Sequence, residues 1–100
     1  MKTMLEKEFQ RKLIQKIKKR FDGAQVFILD PHRLQGVCDL LILYGKNWAM
    51  LEVKRSETAP RRPNQTFYVE RFNEMSFSAF IFPENAEEVL DAMARSFENR

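Results

Sequence analysis

Three residues in the middle of the chain have the types and spacing of a phosphoryl-transfer site: Asp39, Glu52 and Lys54. Gly45-Lys46 reads as a two-residue hairpin turn, with glycine at the first central position as a type II′ turn prefers. With those two residues in the turn, Tyr44 faces Asn47, Leu43 faces Trp48, Leu41 faces Met50 and Asp39 faces Glu52. Directly opposed residues share a sheet face, with Cβ atoms about 4.5–5.5 Å apart. Two carboxylates so placed repel unless something positive lies between them. A divalent cation answers that need, and magnesium takes one or two protein carboxylates while leaving positions for water and phosphate. Lys54, two residues beyond Glu52, shares its face. It can neutralise the acids, hold an attacking water, or meet the negative charge that develops in a phosphoryl transition state. The plainer alternative is a solvated salt-bridge cluster at the end of a hairpin. A one-residue register slip would send Asp39 to the other face.

Elements on both sides must hold these residues. Residues 3–21 have helical apolar spacing through Leu5, Phe9, Leu13, Ile14, Ile17 and Phe21. Thr3 and Glu6 fit a capping box, and Asp22-Gly23 ends the helix. Ala24–Asp30 is a short strand stopped by Pro31, and PHRLQG is loop. Val37–Tyr44 is nearly all apolar, which predicts a strand buried on both faces. Asn47–Arg55 is the third strand, Asn64–Met75 a helix and Phe77–Phe82 a fourth strand. Asn85 is placed to cap a last helix whose apolar face is Val89, Leu90, Met93 and Phe97. The order α-β-β-β-α-β-α predicts an α/β fold with a small mixed four-stranded sheet flanked by helices.

Glu6 falls near the middle of the first helix's apolar arc, whereas Glu8 points away. An acid facing the core is costly unless paired. Glu6 therefore serves the capping box alone or reaches the carboxylate site from the helix.

The pattern of Glu6 on a first helix, Gly-Val-Cys-Asp at 36–39, Leu-Glu-Val-Lys-Arg at 51–55 and Gln65 opening a helix resembles the PD-(D/E)XK nuclease superfamily. Within it the chain is similar to small stand-alone VRR-NUC domains of phages and bacteria, from Glu6 to about Phe82. The resemblance implies a restriction-endonuclease-like core. It implies magnesium, with manganese as a substitute, held by Asp39, Glu52 and the Val53 carbonyl. Lys54 would activate water, and Glu6 would be an outer ligand or part of a second metal site. Gln65 would support the site, unless it is only a polar residue at a helix start. One position departs from the family: Cys38 stands where proline usually precedes the aspartate. Cys38 reads as a small buried residue, since no base is placed to make it a nucleophile.

Length and composition frame these readings. One hundred residues, 44% hydrophobic and 31% charged, make one compact globular domain. No apolar run approaches a membrane span, the N-terminus lacks a signal-peptide core, and the lone cysteine fits a reducing compartment. The expectation is the cytoplasm of a bacterium or of a phage-infected host. The net charge is +3, and residues 11–20 carry six cations and no acid. Lys12, Lys16, Lys19, Arg33, Arg55, Arg61 and Arg62 are candidate phosphate contacts, with a solvated helix face as the plainer reading of the run. His32, beside Arg33, is an exposed loop residue or another phosphate contact. There is no zinc-type Cys/His spacing, no glycine-rich phosphate loop and no Ser/His/Asp arrangement.

The expected activity is magnesium-dependent, structure-selective DNA endonuclease action, favouring branched DNA such as four-way (Holliday) junctions, by a homodimer. The alternative is an inactive nuclease-fold module that binds nucleic acid or protein.

Overall fold

The computed structural model describes residues 3–99. Its elements are α1 (Met4–Arg20), β1 (Gln25–Ile28), β2 (Leu40–Tyr44), β3 (Asn47–Val53), α2 (Pro63–Met75), β4 (Phe77–Ile81) and α3 (Ala86–Glu98). The four strands form one mixed sheet in the order β1-β2-β3-β4, antiparallel except for the parallel pair β3 and β4. The order and the mixed sheet are as the sequence predicts. No helix among the described residues is long and apolar enough to cross a membrane.

The capping box forms as expected: Glu6 N donates to Thr3 Oγ1 at 3.1 Å and Thr3 N to Glu6 Oε1 at 3.2 Å. The apolar arc of α1 does not reach the first turn, however. Leu5 is 72% exposed, and the helix first enters the core at Leu13 and Ile17. Those residues meet Leu40, Ile42, Ala49, Leu51 and Val53 of the sheet and Val89, Leu90, Met93 and Phe97 of α3. This face of the sheet is therefore closed by α1 and α3, and α3 presents the apolar stripe read from its sequence. Ion pairs fasten the two helices at the surface, between Lys16 and Glu87 and between Arg20 and Asp91.

The opposite face carries α2, which packs on β3 and β4. Burial of β2 on both faces, expected from its apolar run, is therefore not found. Leu40 and Ile42 are fully buried, but Leu43 is 39% exposed because α2 does not extend over β2. Nor does Asn85 cap α3 with its side chain. Its Oδ1 accepts from Phe82 N at 2.8 Å and its Nδ2 donates to the Phe80 carbonyl at 3.1 Å, so it closes the exit from β4 instead.

The hairpin turn is the predicted one. Gly45 has φ of 61° and no other residue type has a positive φ among the described residues, which suits type II′. Its register is Tyr44 on Asn47, Leu43 on Trp48 and Leu41 on Met50.

Gly36 lies against the start of α2. Its φ is +89°, and an added Cβ would come within 2.4 Å of Asn64 Cβ. Gly36→Ala is expected to destabilise the fold by about 1–3 kcal/mol, from the strained backbone and the forced displacement of the helix start. Urea denaturation checks this; a midpoint equal to that of the parent protein would rule out the close approach.

Candidate active site

The ladder of β2 and β3 ends one step short of the acidic pair, at Leu40 and Leu51. Asp39 is nevertheless held at the next level by two bonds. Its carbonyl accepts from Leu29 N at 2.8 Å. Its Oδ2 accepts from Val53 N, also at 2.8 Å. The carboxylate thus takes the Val53 amide proton in place of a ladder carbonyl, which is why β2 starts at Leu40 rather than at Val37. Continued by one residue, the register sets Asp39 opposite Glu52.

Glu52 and Lys54 are both buried, at 3% and 7% exposure. Burying such charges is tolerated only when they are hydrogen-bonded. The first turn of α2 provides the bonds. Gln65 Nε2 donates to Glu52 Oε2 at 3.2 Å, and Lys54 Nζ donates to Gln65 Oε1 at 2.8 Å. The same oxygen accepts from Arg62 N at 3.0 Å, at the start of the helix. A carboxamide has one donating and one accepting end. Gln65 therefore joins the acid to the lysine and ties both to the helix. Lys54 is fixed from the other side by its backbone, whose N–H donates to the Ile81 carbonyl of β4 at 2.9 Å.

These groups open on a cleft of about 850 Å³. Asp39, Glu52, Lys54 and Gln65 line it, as does Glu6 from α1. Glu6 caps its helix through the box with Thr3, and it also borders the cleft. Among the described residues, though, no group of three or more His, Cys, Asp or Glu side chains is arranged to hold a metal ion. Glu6 stands at the cleft without joining Asp39 and Glu52 in such a group. Glu8 points to solvent and pairs with Arg11 at 2.7 Å.

The candidate phosphate contacts divide. Arg55 and Arg62 line the cleft, and so does the exposed His32. The Arg61 guanidinium lies 4.2 Å from the Phe80 ring centroid and 5.9 Å from that of Phe82. On α1, Lys12 lies 3.9 Å from Glu8 and Lys16 is paired with Glu87, while Lys19 is exposed. Arg33 is exposed in the loop after β1. Sequence reasoning did not single out Gln35 or Asn64, which also line the cleft. The adjacency of Asn64 to Gln65 was the available signal for one of them.

Cys38 is buried beside the site, with its Sγ 3.7 Å from Ser78 Oγ. Burial pushes its thiol up to about 12 from an ordinary 9.0; the nearby Glu52 and Asp39 carboxylates add to the rise and the Ser78 hydroxyl opposes it. The folded chain therefore keeps a proton that the unfolded chain releases above pH 9, so Cys38 makes stability fall as pH rises through that range. Native Cys38 is expected to resist a thiol-labelling reagent at pH 9 and to react at once in denaturant. Equal labelling rates in the two states would contradict its burial.

No family model matches the chain, and no curated protein matches it in sequence. Its architecture does have a counterpart among solved structures. One described as a VRR_NUC domain superposes with a TM-score of 0.67 at 23% identity, over 89% of this chain and 97% of that one. The fold is that of a VRR-NUC domain. The sheet, the hairpin and the crossover through α2 make up the frame of this chain. Asp39, Glu52, Lys54 and Gln65 are this chain's own occupants of the cleft at one end of that frame.

Proposed function

We propose that this VRR-NUC-like chain is a magnesium-dependent, structure-selective DNA endonuclease that hydrolyses phosphodiester bonds in branched DNA such as four-way junctions. The observation that carries this reading is the linkage of buried Glu52 and Lys54 through Gln65, beside Asp39, in one open cleft. The donor set fits magnesium, which takes oxygen ligands, uses one or two protein carboxylates and leaves its other positions to water and phosphate. Asp39, Glu52 and the Val53 carbonyl would hold the ion; manganese would serve in its place. When bound, it supplies charge stabilisation to the phosphoryl oxygens and a more acidic water.

The chain's own residues do the rest. Lys54 orients the attacking water or meets the negative charge on the phosphate, and Gln65 keeps its ammonium aimed by accepting a hydrogen bond from it. Gln65 also donates to Glu52, which holds that carboxylate in place. The N-terminal turn of α2 borders the cleft, and its backbone N–H groups and helix dipole favour an anion. Arg55 and Arg62 add charge for flanking phosphates. A domain of this size has little surface for reading bases, which favours recognition of DNA shape. Symmetric cutting of a four-way junction requires two active centres, hence a homodimer.

The test is incubation with labelled four-way junction, flap and linear duplex DNA, in magnesium or in EDTA. Magnesium-dependent cuts concentrated on branched substrates are expected. Binding without cleavage in any divalent metal would replace the proposal with a binding module.

A further inference from the structure

The loop between β1 and β2 rises directly from the acid site. Leu29 N donates to the Asp39 carbonyl at 2.8 Å, which closes the base of the loop. Two successive turns build what lies between. Arg33 N donates to the Asp30 carbonyl and Val37 N to the Leu34 carbonyl, both at 3.2 Å. Pro31 fixes φ at the first corner, where His32 N also donates to Asp30 Oδ1 at 2.9 Å. Gly36 turns the second corner and abuts Asn64 of α2. Pro31, His32, Gln35 and Gly36 line the cleft. Leu34, where one turn meets the next, is 48% exposed. A lone exposed leucine calls for no explanation. Here it has company around the cleft: Leu5, beside Glu6 on α1, and Ile28, at the end of the strand that feeds the loop, are both exposed. The surroundings are basic. Arg33 precedes Leu34, residues 31–37 contain no acid, and Arg55 and Arg62 line the same cleft.

We infer that Leu34 is a wedge that packs against a base face exposed at a branch point, and so selects branched DNA over linear duplex. The substrate class rests on the function proposed above; the wedge itself is carried by the loop. In linear duplex every base face is stacked, and an apolar side chain enters only by unstacking a step. At a branch the stack is already interrupted, so an apolar tip gains a base face at little cost. The basic neighbours meet phosphates, which any DNA offers, and cannot make that distinction. The chain also sets the distance. A turn holds its ends within about 7 Å, and the two residues from Val37 to Asp39 add about 7 Å more, so the Cα atoms of Leu34 and Asp39 lie within about 14 Å. At about 3.4 Å per step that is about four base pairs, which puts the contacted base within about four steps of the cut phosphate. The loop is braced at its base, at both turns and against α2, so covering its tip costs little ordering entropy.

The test uses a four-way junction and a linear duplex of matched sequence, each carrying 2-aminopurine, a base whose fluorescence rises on unstacking, at successive positions. Binding is read in EDTA, so that no cleavage intervenes. The parent protein is expected to brighten the junction at the branch and to bind it more tightly than the duplex. Leu34→Ser is expected to lose that signal and about tenfold of the junction preference, and Leu34→Met to keep both. Arg33→Ala is expected to weaken binding to junction and duplex alike, and Met75→Ser, at the far end of α2, to change neither. Cuts mapped in magnesium are expected within about four steps of the brightened base. Unchanged preference in Leu34→Ser, equal weakening on both DNAs, or cuts well beyond that distance would overturn the wedge. A parent protein that binds neither DNA would overturn it too. One that brightens the junction in EDTA yet never cuts in magnesium would keep the wedge and overturn the endonuclease reading.

Discussion

Glu52→Gln is expected to lower magnesium-dependent cleavage on the order of 100-fold or more and to leave DNA binding close to that of the parent protein. The substitution preserves shape, and one amide oxygen can still accept from Gln65 Nε2, the bond that Glu52 Oε2 takes now at 3.2 Å. What it removes is a negative charge buried at 3% exposure, in the place where a cation is proposed to sit. Melting curves give an independent readout. A metal bound only by the folded protein raises the melting temperature by mass action. Magnesium should therefore raise that of the parent protein and leave that of Glu52→Gln unmoved. If Glu52→Gln cuts as fast as the parent, the buried carboxylate is structural and the proposed site is wrong.

Asp39 makes a sharper prediction, because its two carboxylate oxygens have separable duties. Oδ2 accepts from the amide of Val53, a residue with no exposed surface. Asp39→Ala takes away that acceptor and leaves a buried N–H unsatisfied, at a cost of about 1–3 kcal/mol of stability. Asp39→Asn can keep the bond through its amide oxygen. Both variants should lose cleavage, but only Asp39→Ala should lose stability as well. Chemical denaturation alongside the cleavage assay separates the two effects. Equal stability in both variants would show that the Val53 bond contributes little.

The hairpin was the most legible part of the molecule, for a physical reason. A glycine-led two-residue turn fixes register locally, so counting outward from Gly45-Lys46 places every opposed pair without knowledge of the rest of the fold. The first helix and the stripe of α3 were legible on the same grounds, since periodicity is local. What depended on how distant elements meet was harder to read. The apolar run of β2 suggested burial on both faces, but whether α2 extends over β2 is a matter of helix placement across the sheet. Gln65 could be named as a supporting residue only through family resemblance. Its bonds to Glu52 and Lys54 exist because the crossover sets the first turn of α2 over the end of β3. Asn85 followed a sound rule for helix starts, yet its amide found closer partners in the backbone at residues 80 and 82. Among the basic residues, sequence alone could not separate those occupied by neighbouring acids, such as Lys16, from those bordering the cleft, such as Arg62.

The turn at Gly45-Lys46 also governs which changes of chain length this fold can absorb. One residue added between β2 and β3 slides the strands by one step, unless the turn is rebuilt around three residues. Asp39 would then trade faces with Leu40, bringing a carboxylate toward the core and an apolar side chain to the cleft. The connection at residues 56–60 carries no such constraint, because it runs from the end of a strand to the start of a helix and sets no pairing. Insertions and deletions among descendants of this sequence should therefore gather there and spare the hairpin. In a deletion and insertion scan, the two-residue turn should behave as part of the active centre although neither of its residues borders the cleft.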